Sequence, residues 1–238
     1  SSAASDVYKR QVLVFFKYYG FLLNTIGGII GIPIPHSELS LPIGLSFYTF
    51  RNLSYLFDIY LSKVSAQRNF LTFAVYSTMF PYTSAGPIVR YTDIETQLKQ
   101  RTINISKFGT GAELFVKGLA KKVLLADNLS VLYSSICGHP QMSVFTSWLG
   151  ILAYTMQLYF DFSGYSDMAI GLGKMLGFDF NKNFDYPYIS TSVSEFWRRW
   201  HISLGSWFRD YIYIPLGGNR VSTLKHIRNI LVVWALTG

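Results

Sequence analysis

The chain has 238 residues, half of them hydrophobic and only 14% charged, with a formal net charge of +8 and a mean hydropathy of +0.26. A soluble globular domain carries about 25% charged residues, so much of the outer surface is predicted to face lipid. The basic residues lie in short clusters between apolar runs, which is typical of loops that flank membrane spans and argues against nucleic-acid binding.

The first residues are set apart from the rest. Asp6–Gln11 resembles read-through of a transposon-end sequencing adaptor, so Ser1–Gln11 is predicted to be no part of the natural protein. Residues 12–238 contain no internal repeat, low-complexity tract or interdomain linker. They are predicted to form a single, all-α membrane domain that is incomplete at both ends.

Intervals without Asp, Glu, Lys or Arg predict membrane spans, because a transmembrane helix needs about 20 mostly apolar residues. Residues 18–37, 69–89 and 128–160 form three such intervals. In the third, Gly138-His139-Pro140 predicts a turn and leaves a span near Val144–Phe160.

Pro42–Leu61 is a fourth apolar segment, but it contains Arg51, Ser54 and Asp58 on one predicted helical face. Ionisable groups within a span face the bundle interior or a wet cavity, and they suggest a functional site. An internal Arg–Asp pair that locks two helices together explains the pattern equally well. Both interpretations stay open.

Lys107–Asp127 predicts an amphipathic helix at the membrane interface. Glu113, Lys117 and Lys121 recur every four residues, with apolar side chains on another face. The preceding loop, Tyr91–Lys107, is basic and is predicted to be cytoplasmic. Small residues at intervals of four also predict close helix contacts. They are Gly27 and Gly31, and then Ala169, Gly173 and Gly177.

Known signatures of soluble enzymes are missing. No Rossmann glycine motif, nucleophile elbow or zinc-ligand spacing is present, and the single Cys137 excludes an internal disulfide. A more polar stretch begins directly after the third interval, with Asp161, Ser163 and Asp167. A helix end that leaves the bilayer is the favoured interpretation; a polar cavity, or pairing with the arginines farther along, is the alternative.

Glu195–Tyr213 is the most unusual stretch. Drawn as one helix, it places His201 in an aromatic stripe, with Glu195 and Arg199 paired four residues apart on the charged side. A histidine in apolar surroundings stays neutral, which suits a general base. An interfacial aromatic belt is the alternative. The stripe consists of Trp197, Trp200, His201, Leu204, Trp207 and Phe208.

Several blocks together resemble the membrane-bound O-acyltransferase family, in its bacterial alginate O-acetyltransferase branch, which is related to the teichoic acid D-alanyl transferases. The resemblance covers about residues 42–238 and is most specific at Phe196–His201. The other matching blocks are Leu41–Phe47, Ala85–Arg90, Gln157–Lys174, Tyr186–Ser190 and Arg209–Arg220.

This resemblance implies a ring of transmembrane helices around a central funnel, with interfacial and re-entrant helices, in the bacterial inner membrane. It implies transfer of an acyl group, most simply acetyl, from a cytoplasmic thioester (acetyl-CoA or an acylated carrier) to hydroxyls of an exported polysaccharide such as alginate. Periplasmic acetylation proteins or an acyl-carrier protein are the implied partners, and no bound cofactor or metal is implied.

The family also has two histidines near the narrow point of the funnel. His201 matches the first, whereas the second belongs to a Leu-Trp-His-Gly motif expected beyond Gly238, so this chain alone is predicted to be inactive. Arg198 and Arg199 are candidates to hold an anionic sugar or the donor's phosphates. Asp161, Glu195 and Asp210 are expected to pair with those arginines rather than react. Ser163, Arg209, Trp197 and Trp200 complete the predicted substrate and charge network.

Two rival functions follow from the same residues. A transporter or flippase would use Arg51, Asp58, Asp161 and Asp167 to line a conduit, but the two matching halves expected of such a protein are missing. The second rival function is that of a non-catalytic scaffold in a polysaccharide export complex.

Overall fold

The computed structural model describes residues 19–32, 34–35, 44–83, 86–139 and 142–237, and the regular structure in these ranges is helical. They form two compact units. Unit 1 contains the described residues up to Thr83 together with Arg90–Thr92, and unit 2 contains the others. The predicted adaptor segment lies outside the described residues, and the single domain stays a prediction.

Unit 1 contains helical residues 19–30, two further helices and a short 3₁₀ turn at Phe80–Tyr82. Helix α1 is Leu45–Tyr60 and α2 is Phe70–Thr78, and α3, Tyr91–Lys99, has its first residues in this unit.

Unit 2 is built around a long helical hairpin. Its first arm joins α4, Ile105–Ala120, through a π-helical turn at Lys121–Ala126 to α5, Asp127–Cys137. The second arm is α6, Val144–Met175. Three helices follow: α7, Val193–Arg199; α8, Ile202–Phe208, which continues into a π-helical turn at Arg209–Tyr213; and α9, Thr223–Thr237.

In the described part of the chain, no helix combines the length and the apolar character needed to cross a membrane. One expected span has a different form: residues 69–89 hold the nine-residue α2 and a 3₁₀ turn. Pro81 lies just past α2 and has no backbone N–H with which to continue the helix.

The polar face predicted on α1 is buried in unit 1. Arg51, Ser54 and Asp58 are each at most 1% exposed. The Arg51 guanidinium lies 4.4 Å from the centre of the Tyr82 ring, and Asp58 forms an ion pair with Lys63 at 3.6 Å. Arg51 and Asp58 lie two turns apart on the same helix. The Arg–Asp pair considered from the sequence is accordingly not among the described ion pairs.

Glycines hold α4 and α6 together, and they are not the predicted ones. A Cβ on Gly111 would lie 2.7 Å from the Gly171 carbonyl oxygen, and one on Gly118 would lie 2.5 Å from that of Gly164. Such distances bring the two backbones into direct contact.

Three glycines of the predicted small-residue stripes have other roles. Gly27 approaches the backbone of Ile32, at the turn that ends its own helix, and Gly173 packs under the Phe180 ring. Gly177 has a φ of +88° just past the end of α6, where a glycine ends a helix without strain. Spacing alone did not distinguish an interhelical contact from a capping or ring contact.

The aspartates of α6 lie inside this helix, so the predicted helix end near Phe160 is wrong. Asp161 pairs with Lys122 at 2.8 Å and Asp167 pairs with Lys121 at 2.6 Å, both across the hairpin. The expected pairing of Asp161 with arginine is therefore also wrong. On α4, Glu113 and Lys117 form their expected pair at 2.6 Å.

Candidate active site around His201

The helix is interrupted at His201, so the prediction of a single helix from Glu195 to Tyr213 is wrong. Trp200 is extended at the end of α7, and His201 takes a left-handed conformation, with φ of 44° and ψ of 55°, before α8. Left-handed backbone is uncommon for a residue other than glycine, and such strain concentrates at functional sites.

Tertiary hydrogen bonds explain the break. The Asp185 N–H donates to the Arg199 carbonyl at 2.9 Å, and the Ile202 N–H donates to the Asn183 carbonyl at 2.9 Å. The loop that follows α6 thus supplies hydrogen-bond partners on both sides of His201. In a continuous helix, the backbone of the helix itself would supply those partners.

Helix α7 is held by a capping arrangement. Ser192 accepts the Glu195 N–H at 3.1 Å, while the Glu195 carboxylate accepts the Thr191 N–H at 3.0 Å. Its other oxygen lies 2.8 Å from Arg199, which confirms the pair expected from the spacing. Arg199 also donates to the Asp185 carbonyl at 3.1 Å, so the pair anchors the loop that breaks the helix.

The imidazole of His201 lies among aromatic rings, as its place in the stripe predicts. The Phe162 ring meets it edge-on at 4.8 Å between centroids, and Phe184 is stacked at 6.4 Å. His201 lies outside the segments expected to span the membrane. Burial lowers its pKa to about 4, so the ring is neutral at pH 7.

Sequence reasoning missed the polar partner of this ring. Asn183 Oδ1 lies 3.0 Å from His201 Nδ1. Asn183 stands in a short polar loop between Phe180 and Phe184, and nothing in its spacing relative to His201 distinguishes it from neighbouring Asn181.

An apolar cleft of about 450 Å³ opens beside His201. Five members of the predicted stripe line it on one side, and α9 closes the other side with Trp234, whose ring lies 5.2 Å from that of Trp197. The sixth member, Trp207, is 3% exposed and packs against Tyr211 instead. The five are Trp197, Trp200, His201, Leu204 and Phe208.

Of the remaining predicted site residues, one lines the cleft and the others lie outside its lining. Arg209 lines the cleft and pairs with Asp210 at 2.7 Å, while the exposed Arg198 donates to the Ser194 carbonyl at 3.1 Å. Asp161 belongs to the hairpin pairs described above. Ser163 is buried in α6, and no described hydrogen bond joins it to His201.

Neither of the other two described histidines lines the cleft. His226 Nε2 hydrogen-bonds the Tyr213 hydroxyl at 2.9 Å, His139 follows the turn after α5, and His36 lies outside the described residues. Among the residues that the structure describes, no three His, Cys, Asp or Glu side chains are grouped as metal ligands. That the site uses no metal stays a prediction.

The Glu195–Arg199 pair predicts a pH-dependent contribution to stability. Hydrogen bonds from the Thr191 backbone and then from Arg199 hold the pKa of Glu195 below its usual value. The stabilisation is therefore present above the unfolded pKa and is lost as the pH falls through the folded one. We expect Glu195→Gln to lower the thermal unfolding midpoint of the detergent-solubilised protein at pH 7 and to have a smaller effect near pH 3.

The matched control is Glu113→Gln, which removes an exposed pair of the same spacing on α4. We expect a smaller change there, because exposed pairs contribute little. An equal loss for Glu195→Gln at pH 3 and pH 7 would contradict the electrostatic origin.

The candidate active site of this helical protein is thus a neutral histidine, held in a strained break beside an apolar cleft. Residues 4–237 match the model of the membrane-bound O-acyltransferase family, and the chain belongs to that family, which confirms the resemblance seen in its motifs.

Its relatives include named transferases. The chain is 48% identical over 231 residues to a probable alginate O-acetylase of Pseudomonas aeruginosa, covering 95% of this chain and 44% of that protein. It is 34% identical to a peptidoglycan O-acetyltransferase of Helicobacter pylori, covering 96% and 49%. It is 28% identical to a teichoic acid D-alanyltransferase of Bacillus subtilis, covering 76% and 46%. The chain thus spans about half the length of the curated relatives it matches.

Proposed function

We propose that the protein is an O-acetyltransferase of the bacterial inner membrane that acetylates hydroxyls of an exported polysaccharide, alginate being the first candidate. The observation that carries the proposal is the family membership, together with the place of His201 in the cleft. The relatives with the higher identities are named as O-acetylases or O-acetyltransferases, and this favours a transferase over a transporter or a scaffold.

The reaction needs few groups. The acceptor hydroxyl oxygen attacks the thioester carbonyl carbon, a C–O bond forms, and the C–S bond breaks. The proton of the hydroxyl passes to a base and then to the departing thiolate. A positioned base typically accelerates such a step by about 10²–10⁴. The donor is acetyl-CoA or an acetylated carrier protein, and no bound cofactor takes part.

The surroundings of His201 favour one role within this scheme. An imidazole with a pKa of about 4 holds a proton weakly but still offers a lone pair. His201 therefore accepts a hydrogen bond from the acceptor hydroxyl and orients it. The second histidine expected from the family is the stronger base. Arg209, on the wall of the cleft, is placed to attract an anionic sugar or the donor's phosphates.

The family architecture, a helical ring around a funnel, would bring donor and acceptor to His201. The membrane, the polysaccharide and the periplasmic or carrier proteins named above are the proposed partners.

The test is a transfer assay on the full-length protein in membrane vesicles. The vesicles receive acetyl-CoA or an acetylated carrier protein, each carrying a labelled acetyl group, and then alginate or, in a parallel reaction, peptidoglycan fragments. Base-labile label on the alginate supports the proposal, and the donor that yields it is identified in the same assay. Label on peptidoglycan fragments but not on alginate would change the acceptor, and no ester with either would reject the function.

A further inference from the structure

Asn183 joins three parts of unit 2 at a buried point, where it is 1% exposed. Its side-chain Nδ2 donates to Ser166 Oγ of α6 at 2.9 Å, and its backbone carbonyl accepts the Ile202 N–H. Its Oδ1 faces His201 Nδ1 at 3.0 Å. The amide therefore ties the long helix to the strained corner that carries the histidine.

The orientation of this amide is fixed by a group that can only donate. The Ser203 backbone N–H lies 3.2 Å from Asn183 Oδ1, so the amide atom at that position must be the oxygen. The Ser203 hydroxyl agrees with this orientation. It accepts the Ile88 N–H at 3.0 Å and directs its own proton to Asn183 Oδ1 at 2.9 Å.

The orientation of the amide determines the tautomer of the histidine. Because Asn183 Oδ1 can only accept, His201 Nδ1 must carry the proton, and the neutral ring then has its lone pair on Nε2. We propose that Asn183 is the positioning residue of the site, holding His201 in the tautomer whose Nε2 receives the acceptor hydroxyl. This inference rests on the proposed function.

The test compares two substitutions in the full-length protein, assayed in vesicles across a range of pH. Asn183→Ala frees the ring, and we expect kcat to fall about tenfold or more with KM nearly unchanged. Asn183→Asp keeps an oxygen for Nδ1–H but adds a negative charge that stabilises the protonated ring. We expect activity to recover at high pH, with the acid limb moved upward by about one unit or more.

Asn229→Asp is the matched control. Asn229 is also fully buried, and its Nδ2 donates to the carbonyls of Leu216 and Gly218, each at 3.1 Å. Its Oδ1 accepts a hydrogen bond from Arg228 at 2.8 Å, and no described contact joins Asn229 to His201. A carboxylate introduced there, beside Arg228, should leave the acid limb where it is. The positioning role would be overturned if the acid limb of the Asn183→Asp pH–activity profile lay at the same pH as in the wild type. It would also be overturned if Asn229→Asp moved the acid limb by the same amount.

Ser166→Ala covers the case in which the Asn183 variants do not fold. Removal of the hydroxyl that accepts Asn183 Nδ2 should lower kcat about two- to tenfold without changing KM, since one of the hydrogen bonds that hold the amide against His201 is lost. An unchanged kcat would again reject the inference. If the wild-type protein transfers no acyl group at all, the proposed function fails; if it does and Asn183→Asp behaves like Asn229→Asp, the positioning role alone fails.

Discussion

Replacement of His201 by alanine in the full-length protein should lower the rate of acyl transfer by a factor of about 100 or more, while expression and membrane insertion persist. The imidazole lies beside the apolar cleft, between α7 and α8, so its loss removes a hydrogen-bonding group but leaves the backbone hydrogen bonds on both sides of the break. The transfer assay in vesicles measures the rate, and size-exclusion chromatography in detergent measures the amount of folded protein.

His226→Ala is the control for this substitution. His226 also belongs to unit 2 and also uses its ring to hold another side chain, the cleft-lining Tyr213, but His226 itself does not line the cleft. We expect its rate to stay close to that of the wild type. Retained transfer in His201→Ala would show that the histidine is structural and that its aromatic surroundings are an interfacial belt.

Replacement of Gly171 by leucine should strongly destabilise unit 2. An added Cβ would lie 2.6 Å from the Gly111 carbonyl oxygen and 2.7 Å from the Phe115 nitrogen, and neither backbone atom can move without separating the helices. Overpacking of this kind costs about 1–3 kcal/mol or more, against a total stability of about 5–15 kcal/mol. We expect the monodisperse fraction after detergent extraction to fall well below that of the wild type.

Gly109→Leu is the matched control, because Gly109 lies in α4 of the same hairpin, two residues before Gly111, and a Cβ there meets nothing within 4 Å. Its monodisperse fraction should equal that of the wild type, and helix propensity would even improve. Gly171→Ala should fall between the two. A monodisperse, active Gly171→Leu protein would mean that the glycine contacts do not hold α4 to α6.

The helical content and the chemistry around His201 were accessible from the sequence for local reasons. The Glu113–Lys117 and Glu195–Arg199 pairs form because residues four apart share a helical face, whatever lies around them. The aromatic stripe predicted an apolar setting for the imidazole, and five of its six members line one cleft. Family membership was accessible because the block at Phe196–His201 is specific.

Local sequence patterns did not predict the contacts between residues that are distant in the chain. The end of α6 was misplaced because Asp161 is satisfied by Lys122, nearly forty residues earlier, and no local pattern in either segment shows that partnership. The glycine contacts were misassigned for a related reason. Gly164 and Gly171 face the other arm of the hairpin, but the rotation of α6 that brings them there is set by packing.

The sequence by itself determined that this protein is a helical member of the acyltransferase family with a neutral histidine in aromatic surroundings, because helix periodicity and motif identity are carried by neighbouring residues. The tertiary structure alone decided that the helix breaks at His201 and that Asn183 faces the ring. Both depend on a loop that supplies hydrogen bonds from more than ten residues away, and such bonds leave no periodic trace in the chain.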